Sequence, residues 1–225
     1  MKKRTKVFCI GYNKTGTTTV EKVLKKMGYV MPKQTMQERL ISEDVFRGDY
    51  RSLRKLCKKY DAFQDMPFSQ GSAYIAADAL FPGSQFILTV RDADAWFDSL
   101  VRFHLKGIMK RAGVEKIEDF NENSFKDKEV YLHKNYSYQV VRRHAVTVEN
   151  HAVHYDWSLV YNKEHRVSLY EERNRQILEY FQNRPEQLLV FDVEKESNNS
   201  RMVEFLGLPS SFIEDLPHLN QSRLR

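Results

Sequence analysis

The sequence predicts an α/β protein in which a central, mostly parallel β-sheet is flanked by helices. Short apolar runs typical of buried strands alternate along the chain with amphipathic segments typical of helices. The chain has 225 residues, of which 41% are hydrophobic, so it can bury one sizeable core. No linker rich in Pro, Gly or Ser divides it. We therefore expect a single domain over residues 1–225.

Four apolar runs predict the strands of this sheet, at residues 6–10, 61–65, 85–90 and 188–191. The second run ends before Met66-Pro67, because the residue that precedes a proline is disfavoured in a helix. Helices are predicted over 17–27 and 69–81, and in the segment that follows Asp92. Open α/β sheets bind ligands at the carboxyl ends of their strands, and Lys14, Asp65 and Arg91 are predicted to lie at such ends.

The segment 105–166 interrupts this alternation with a polar stretch rich in Tyr and His and without a clear strand. It predicts a mobile helical insertion that forms a lid over the ligand site. Its aromatic side chains can contact a ligand or pack the insertion itself, and they are Tyr131, Tyr136, Tyr138, Tyr155, Trp157 and Tyr161.

Composition restricts the classes of partner. The formal charge is +6, but the basic pairs are scattered among 30 acidic residues, which is typical of solvated surfaces and argues against a nucleic-acid or membrane-surface binder. No apolar run of about 18 residues predicts a membrane span, and we expect a cytoplasmic protein.

Metal binding is also not expected. The two cysteines, Cys9 and Cys57, lack a metal-type spacing and are predicted to be buried. No cysteine joins the histidines His144, His151 and His154, and their spacing is not that of a zinc helix.

Residues 9–24, CIGYNKTGTTTVEKVL, predict a phosphate-binding loop between a strand and a helix. Gly11 and Gly16 are separated by four residues, as in a Walker A loop, but Thr17 stands where that loop has its lysine. Backbone N–H groups of such a turn and of the following helix N-terminus bind anions. The candidate binding residues are Lys14, Thr15, Gly16, Thr17, Thr18 and Thr19. The alternative is a helix start capped by a threonine.

A second motif places Arg91 at the end of the third strand and Ser99 eight residues later on a helix. The planar guanidinium fork suits a phosphate group. The alternative is that Arg91 pairs with Asp92 or Asp94 and that Ser99 lies on a solvated helix face.

Together, the two motifs resemble those of the sulfotransferases that use 3′-phosphoadenylyl sulfate (PAPS), which have a three-layer, P-loop-like fold. Further resemblances are QDMP at 64–67, ALFPGSQFI at 79–87, LLVFDVE at 188–194 and FLGLP at 205–209. They extend over nearly the whole chain except the insertion. The resemblance implies that the loop binds the 5′-phosphosulfate and that Arg91 and Ser99 bind the 3′-phosphate of PAPS, with 3′,5′-ADP as the product and no metal.

Two departures from the family pattern are visible. Asn13 replaces the proline that many relatives have before the basic residue, and the KxGxxGDWK segment of the animal cytosolic enzymes is missing. The second departure leaves open which residues complete the 3′-phosphate site, and Arg223 and Arg225 are candidates.

The resemblance implies that Lys14 neutralises the oxygen that leaves sulfur during transfer. A base must then accept the proton of the acceptor hydroxyl, and the candidates are Asp65 and His104. Asp65 shares the strand-end edge with Lys14, and a carboxylate base is similar to that of the glycan-modifying relatives. The alternative role for Asp65 is that of a turn residue before Met66-Pro67.

The expected acceptor is a hydroxyl, or secondarily an amine, on a carbohydrate, lipid or small metabolite. The competing enzyme class is a P-loop kinase of a small molecule. Such a kinase needs a lysine directly after Gly16, and the sequence has Thr17 there.

Overall fold

The computed structural model describes residues 4–216. Arg223 and Arg225 therefore lie outside the described residues. The strands are β1 (Val7–Cys9), β2 (Ala62–Phe63), β3 (Gln85–Thr89), β4 (Val146–Glu149), β5 (Ala152–Tyr155) and β6 (Leu188–Phe191). The α-helices are α1 (Thr17–Lys26), α2 (Gln34–Phe46), α3 (Arg51–Cys57), α4 (Ala73–Leu80), α5 (Ala93–His104), α6 (Lys110–Ala112), α7 (Tyr136–Arg142), α8 (Lys163–Phe181) and α9 (Ser200–Phe205).

The described chain forms two compact units. The first comprises residues 4–91 and 173–216, and the second comprises residues 92–172. The second unit therefore contains the predicted insertion together with α5.

The first unit is built on a parallel sheet with the strand order β2-β1-β3-β6, which confirms the predicted α/β class. Phe8 of β1 lies opposite Phe63 of β2 and Phe86 of β3, and its ring stacks on both. The strands are apolar at successive positions because both faces of a parallel sheet are covered by other elements.

Alternate residues of the strands enter two different cores, which gives the three-layer arrangement. Phe8, Phe63 and Phe86 pack on one face with side chains from α3, α4 and residues 173–181 of α8. Val7 and Cys9 pack on the other face with side chains from α1 and α9. The alternation follows from the strand geometry, in which successive side chains point to opposite faces.

The predicted strands of the sheet all form, and β6 has its predicted bounds, but β2 is only two residues long. It stops early because Asp65 adopts a left-handed backbone conformation, with φ of 60°, that no strand residue has. The chain therefore turns away from the sheet at Asp65 and continues into the segment that leads to α4.

The second unit is only partly helical, so the expectation of a strand-free helical insertion is wrong. It contains an antiparallel hairpin in which Val146 pairs with Tyr155 and Val148 with Val153. The loop between the strands is Asn150-His151, and both residues have positive φ, 48° and 64°. Two such residues form the type I′ turn that suits a two-residue hairpin. Glu149 and Ala152 flank this turn, and the β-branched pair Val148 and Val153 lies one position further along the strands.

A hydrophobic cluster of its own stabilises this second unit, with Met109, Phe125 and Val160 among its buried members. The aromatic residues of the insertion mainly pack against one another. Tyr138 stacks on Trp157 with ring centroids 5.3 Å apart, while Tyr155 of the hairpin is 48% exposed. Within residues 4–216, no helix is long and apolar enough to cross a membrane.

Candidate functional site

The loop between β1 and α1 begins with a close approach of two strands. Gly11 lies so near Thr89 of β3 that a Cβ at this position would overlap the Thr89 side chain and backbone. The Thr15 hydroxyl donates to the Tyr12 carbonyl oxygen at 2.5 Å and lies 2.6 Å from the Thr89 hydroxyl. The loop is therefore tied to the carboxyl end of β3 by buried contacts.

Gly16 is the N-cap of α1 and has a φ of 94°. A Cβ on Gly16 would lie 2.6 Å from Val193 Cγ2, so both the backbone conformation and the space require glycine. No side chain caps this helix, so the threonine-cap alternative does not hold in the structure. The first N–H groups of a helix have no acceptor within the helix, and they can receive an anion here.

The threonines of the loop differ in their surroundings. Thr15, Thr17 and Thr19 are buried, and Thr18 is exposed. Because the Thr15 hydroxyl is engaged inside the protein, Thr15 can offer an anion only its backbone N–H. Thr17 and Thr18 begin the first turn of α1, and their N–H groups belong to the set that a helix leaves without intrahelical acceptors.

Asp65 lies at the carboxyl end of β2, next to β1 in the sheet. Its Oδ1 accepts a hydrogen bond from the Met66 N–H at 2.8 Å and lies 3.4 Å from the Ser69 hydroxyl. Burial raises the pKa of Asp65 above its usual value of 3.8, and the negative charge of Glu21 adds to this. The two hydrogen bonds and the positive charge of Lys14 act in the opposite direction on this pKa.

Lys14 and Asp65, which the sequence predicted at two neighbouring strand ends, are therefore within electrostatic range of each other. Lys14 is partly buried and has a left-handed backbone conformation, with φ of 72°. A partly buried carboxylate with a raised pKa beside a lysine is a candidate for acid–base chemistry.

Sequence reasoning missed a group of polar residues that α2 brings to Asp65. The Gln34 Nε2 donates to Asp65 Oδ2 at 3.1 Å and to Glu38 Oε1 at 2.8 Å. The Gln37 Nε2 donates to the Met66 carbonyl oxygen at 2.9 Å and also to that of Gln64. A signal existed, because Gln34, Gln37 and Glu38 recur at helical spacing on the same side of α2.

Arg91 follows β3, and its Nη2 forms an ion pair with Glu194 Oε1 at 2.6 Å. This differs from the alternative predicted from the sequence, in which Asp92 or Asp94 was the partner. Asp92 instead caps α5 by accepting the Ala95 N–H, and Asp94 pairs with Lys163. Glu194 directly follows Val193, the residue that lies against Gly16.

Ser99 and His104 both lie on α5, in the second unit. Ser99 is buried, which differs from the solvated helix face of the alternative. The Nδ1 of His104 lies 2.8 Å from the Tyr161 hydroxyl, with which it shares a hydrogen bond.

Arg173 is a second residue that sequence reasoning missed. Its guanidinium is buried and donates to the carbonyl oxygens of Ile10 at 2.8 Å, Phe68 at 3.0 Å and Gly71 at 3.2 Å. It also lies 4.9 Å from the centre of the Tyr12 ring. Arg173 therefore joins the start of the loop to the segment that follows Asp65.

The thiols of Cys9 and Cys57 are buried and free, as predicted. Burial raises the pKa of each thiol to about 12, so neither is a reactive nucleophile. In the part of the chain that the structure describes, no group of three or more His, Cys, Asp or Glu side chains is arranged to hold a metal ion.

Comparison with known families gave one finding. A family model described as a sulfotransferase domain matches residues 6–224, which is nearly the whole chain. A comparison with curated proteins found no match.

Proposed function

Since the chain belongs to the family described as a sulfotransferase domain, we propose that it transfers a sulfuryl group from PAPS to a hydroxyl of a carbohydrate, lipid or small metabolite. An amine is the secondary acceptor class. In this reaction the acceptor oxygen forms a bond to sulfur while the bond from sulfur to the phosphate oxygen breaks. The acceptor proton passes to a base on the protein, and 3′,5′-ADP is released.

The observation that carries this proposal is the interaction between Lys14 and Asp65 at the carboxyl ends of two adjacent strands. A donor-binding cation and a proton acceptor thus lie at one edge of the sheet. In-line transfer needs the leaving oxygen and the attacking oxygen on opposite sides of sulfur, each with its own charged partner.

The loop fits the 5′-phosphosulfate group of PAPS. Gly16 gives α1 an N-terminus without a side-chain cap, and Thr17 and Thr18 begin its first turn. We assign these backbone groups to the phosphate and sulfate oxygens, because helix N-termini bind anions through N–H groups and the helix dipole. The Lys14 ammonium then neutralises the leaving oxygen, an effect worth about 3–4 kcal/mol for one well-placed donor.

Asp65 is the proposed base. Burial raises its pKa, so it is a better proton acceptor at neutral pH than an ordinary surface aspartate, while Lys14 limits this rise. His104, the second candidate, shares a hydrogen bond with Tyr161 and belongs to a different unit of the chain from Lys14. We therefore assign the proton transfer to Asp65.

Arg91 is the proposed contact for the 3′-phosphate, because its guanidinium lies at the end of β3 and is only 22% exposed. The ion pair with Glu194 must open or rearrange for this contact to form. The assignment of Ser99 to the same phosphate rests on the sequence resemblance alone.

The proposal is tested by incubating the protein with PAPS and a panel of glycan, lipid and phenol acceptors, with product detected by mass spectrometry as the gain of one sulfuryl group. Lys14→Ala should lower turnover by about 10²–10³-fold. Its affinity for 3′,5′-ADP should change much less, because the lysine acts mainly on the leaving oxygen in the transition state.

Lys22→Ala is a matched control, because Lys22 is an exposed lysine of the neighbouring helix α1. It should behave as the unchanged protein in both assays. A Lys14→Ala protein that loses only 3′,5′-ADP affinity and keeps its turnover at saturation would contradict the role of Lys14.

A further inference from the structure

Gln34 of α2 makes a contact with Asp65 that the proposed reaction does not by itself explain. The Gln34 amide nitrogen lies between two carboxylates, 3.1 Å from Asp65 Oδ2 and 2.8 Å from Glu38 Oε1. A primary amide nitrogen carries two hydrogens, so it can donate one to each carboxylate. Gln34 therefore links Asp65 to Glu38, which is only 4% exposed.

The orientation of the Gln34 amide follows from its partners. Its oxygen lies 3.5 Å from the Gln64 Nε2, which is a donor, whereas its nitrogen faces two acceptors. The reversed amide would place the oxygen against both carboxylates and would be repelled. The arrangement therefore presents N–H groups to Asp65, and these favour the charged form of the carboxylate.

Both oxygens of Asp65 are oriented by these contacts. Oδ1 faces the Met66 N–H and the Ser69 hydroxyl, and Oδ2 faces Gln34. A carboxylate oxygen has two acceptor sites, so Oδ2 keeps one for an incoming hydroxyl while Gln34 occupies the other.

We propose that Gln34 is a positioning residue for the reaction: its amide fixes the orientation of the Asp65 carboxylate and holds this carboxylate in the ionised form that accepts a proton. This inference rests on the proposed role of Asp65 as the base. Gln34 itself transfers no proton and acts only through Asp65.

The other charges around Asp65 come from three elements. Lys14 in the loop after β1 favours the ionised carboxylate, and Glu21 of α1 disfavours it. Glu38 of α2 reaches Asp65 through the Gln34 amide. Removing this amide takes an N–H donor away from the Asp65 carboxylate while the negative charge of Glu21 remains, so the carboxylate should then hold its proton more tightly.

The test measures the pKa of Asp65 directly, in protein with ¹³C-labelled aspartate carboxyl groups. The resonance is assigned by its loss in Asp65→Asn, and titration is followed by NMR in the presence of 3′,5′-ADP. A hydrogen bond to a charged group is worth enough to move a pKa by about one unit. Gln34→Met should raise the pKa of Asp65 by about that amount, and Gln34→Glu should raise it further because it adds a negative charge.

Gln37→Met is the matched control. Gln37 lies on the same helix and bonds the carbonyl oxygens of Gln64 and Met66, which flank Asp65, but not the Asp65 carboxylate. It should lower the melting temperature and leave the pKa of Asp65 in place. An unchanged pKa in Gln34→Met, or an equal shift in Gln37→Met, would overturn the inference.

The same variants are then assayed for release of 3′,5′-ADP from PAPS as a function of pH, with water as the acceptor. If Asp65 is the base, the rising limb of the profile should move to higher pH in step with the pKa measured by NMR. The pKa of Asp65 could also shift by NMR while the rising limb of the pH–rate profile stays in place. This result would support the contact between Gln34 and Asp65 but would contradict the proposed role of Asp65 as the base.

Discussion

Asp65 combines a left-handed backbone conformation with a buried environment that raises the pKa of its carboxyl group. Its left-handed φ of 60° ends β2, and its carboxylate is held by Met66, Ser69 and Gln34. Burial raises its pKa although Lys14 opposes this rise. Aspartate and asparagine tolerate left-handed conformations better than most residues, so asparagine can replace Asp65 without backbone strain.

Asp65→Asn should lower turnover by about 10²–10⁴-fold, because it keeps the shape of the side chain and removes the proton acceptor. The stability of this variant relative to the unchanged protein should also increase as the pH rises. The pKa of Asp65 in the folded protein lies above the usual 3.8. The contribution of Asp65 to stability is therefore complete below the unfolded pKa and is lost as the pH rises through the folded pKa.

Melting temperatures of the two proteins across acidic and neutral pH check this second expectation. The melting temperature of Asp65→Asn minus that of the unchanged protein should be largest at neutral pH and should decrease as the pH falls toward the ordinary aspartate pKa. An active Asp65→Asn together with an inactive His104→Ala would transfer the role of base to His104.

Arg91 forms an ion pair with Glu194 at 2.6 Å, so this carboxylate occupies the guanidinium that we propose binds the 3′-phosphate. Glu194→Gln should tighten the binding of 3′,5′-ADP by roughly two- to fivefold, the range expected when a partly exposed ion pair no longer competes. Calorimetric titration measures the change. Glu196→Gln is the control, because Glu196 pairs with Arg201 on the same segment. Weaker binding by Glu194→Gln would show that Glu194 supports the ligand rather than competing with it.

Arg173 of α8 connects two separate pieces of chain, the end of β1 and the segment after β2. Its guanidinium bonds carbonyl oxygens of Ile10, Phe68 and Gly71, so it fixes the end of β1 relative to the segment after β2. A lysine at this position offers a single point charge without the planar fork and cannot reproduce the three contacts.

Arg173→Lys should therefore lower the free energy of unfolding by about 2–4 kcal/mol, because buried carbonyl oxygens lose their donors. For a chain of this size the melting temperature should fall by about 5–15 °C. Arg175→Lys is the control on the same helix, since Arg175 pairs with Glu179 and is 57% exposed. Equal melting temperatures for the two variants would contradict the role assigned to Arg173.

The elements that could be predicted well from the sequence are those marked by a short run of neighbouring residues. The run at 188–191 is apolar throughout and became β6 with its predicted bounds. The hairpin β4–β5 was missed because its turn is Asn150-His151 rather than a turn that contains glycine, although both residues have the required positive φ. The contact between α2 and Asp65 was missed because the polar side chains of α2 resemble an ordinary solvated helix face in the sequence. Only the folded chain brings Gln34 of this helix to Asp65.

At the scale of the whole molecule, the order of the predicted strands and motifs along the chain gave the most information about the candidate site. The loop after β1 and the arginine after β3 are separated by many residues, yet they follow adjacent strands of the sheet. Parallel topology brings such strand ends to one edge, so the identity of Lys14, Asp65 and Arg91 as candidates could be predicted. The partners of these residues depend on side-chain packing across distant segments, and this is why Glu194 and Gln34 were not foreseen.

The chain belongs to the sulfotransferase domain family over residues 6–224, and the proposed donor is PAPS. The most direct measurement compares the binding of 3′,5′-ADP, 5′-AMP and ATP by calorimetry and by the rise in melting temperature. A ligand that binds only the folded state stabilises it by mass action. We predict that 3′,5′-ADP binds most tightly and that Arg91→Ala removes its advantage over 5′-AMP. Equal stabilisation by 3′,5′-ADP and 5′-AMP in the unchanged protein would contradict a 3′-phosphate site, and with it the PAPS donor.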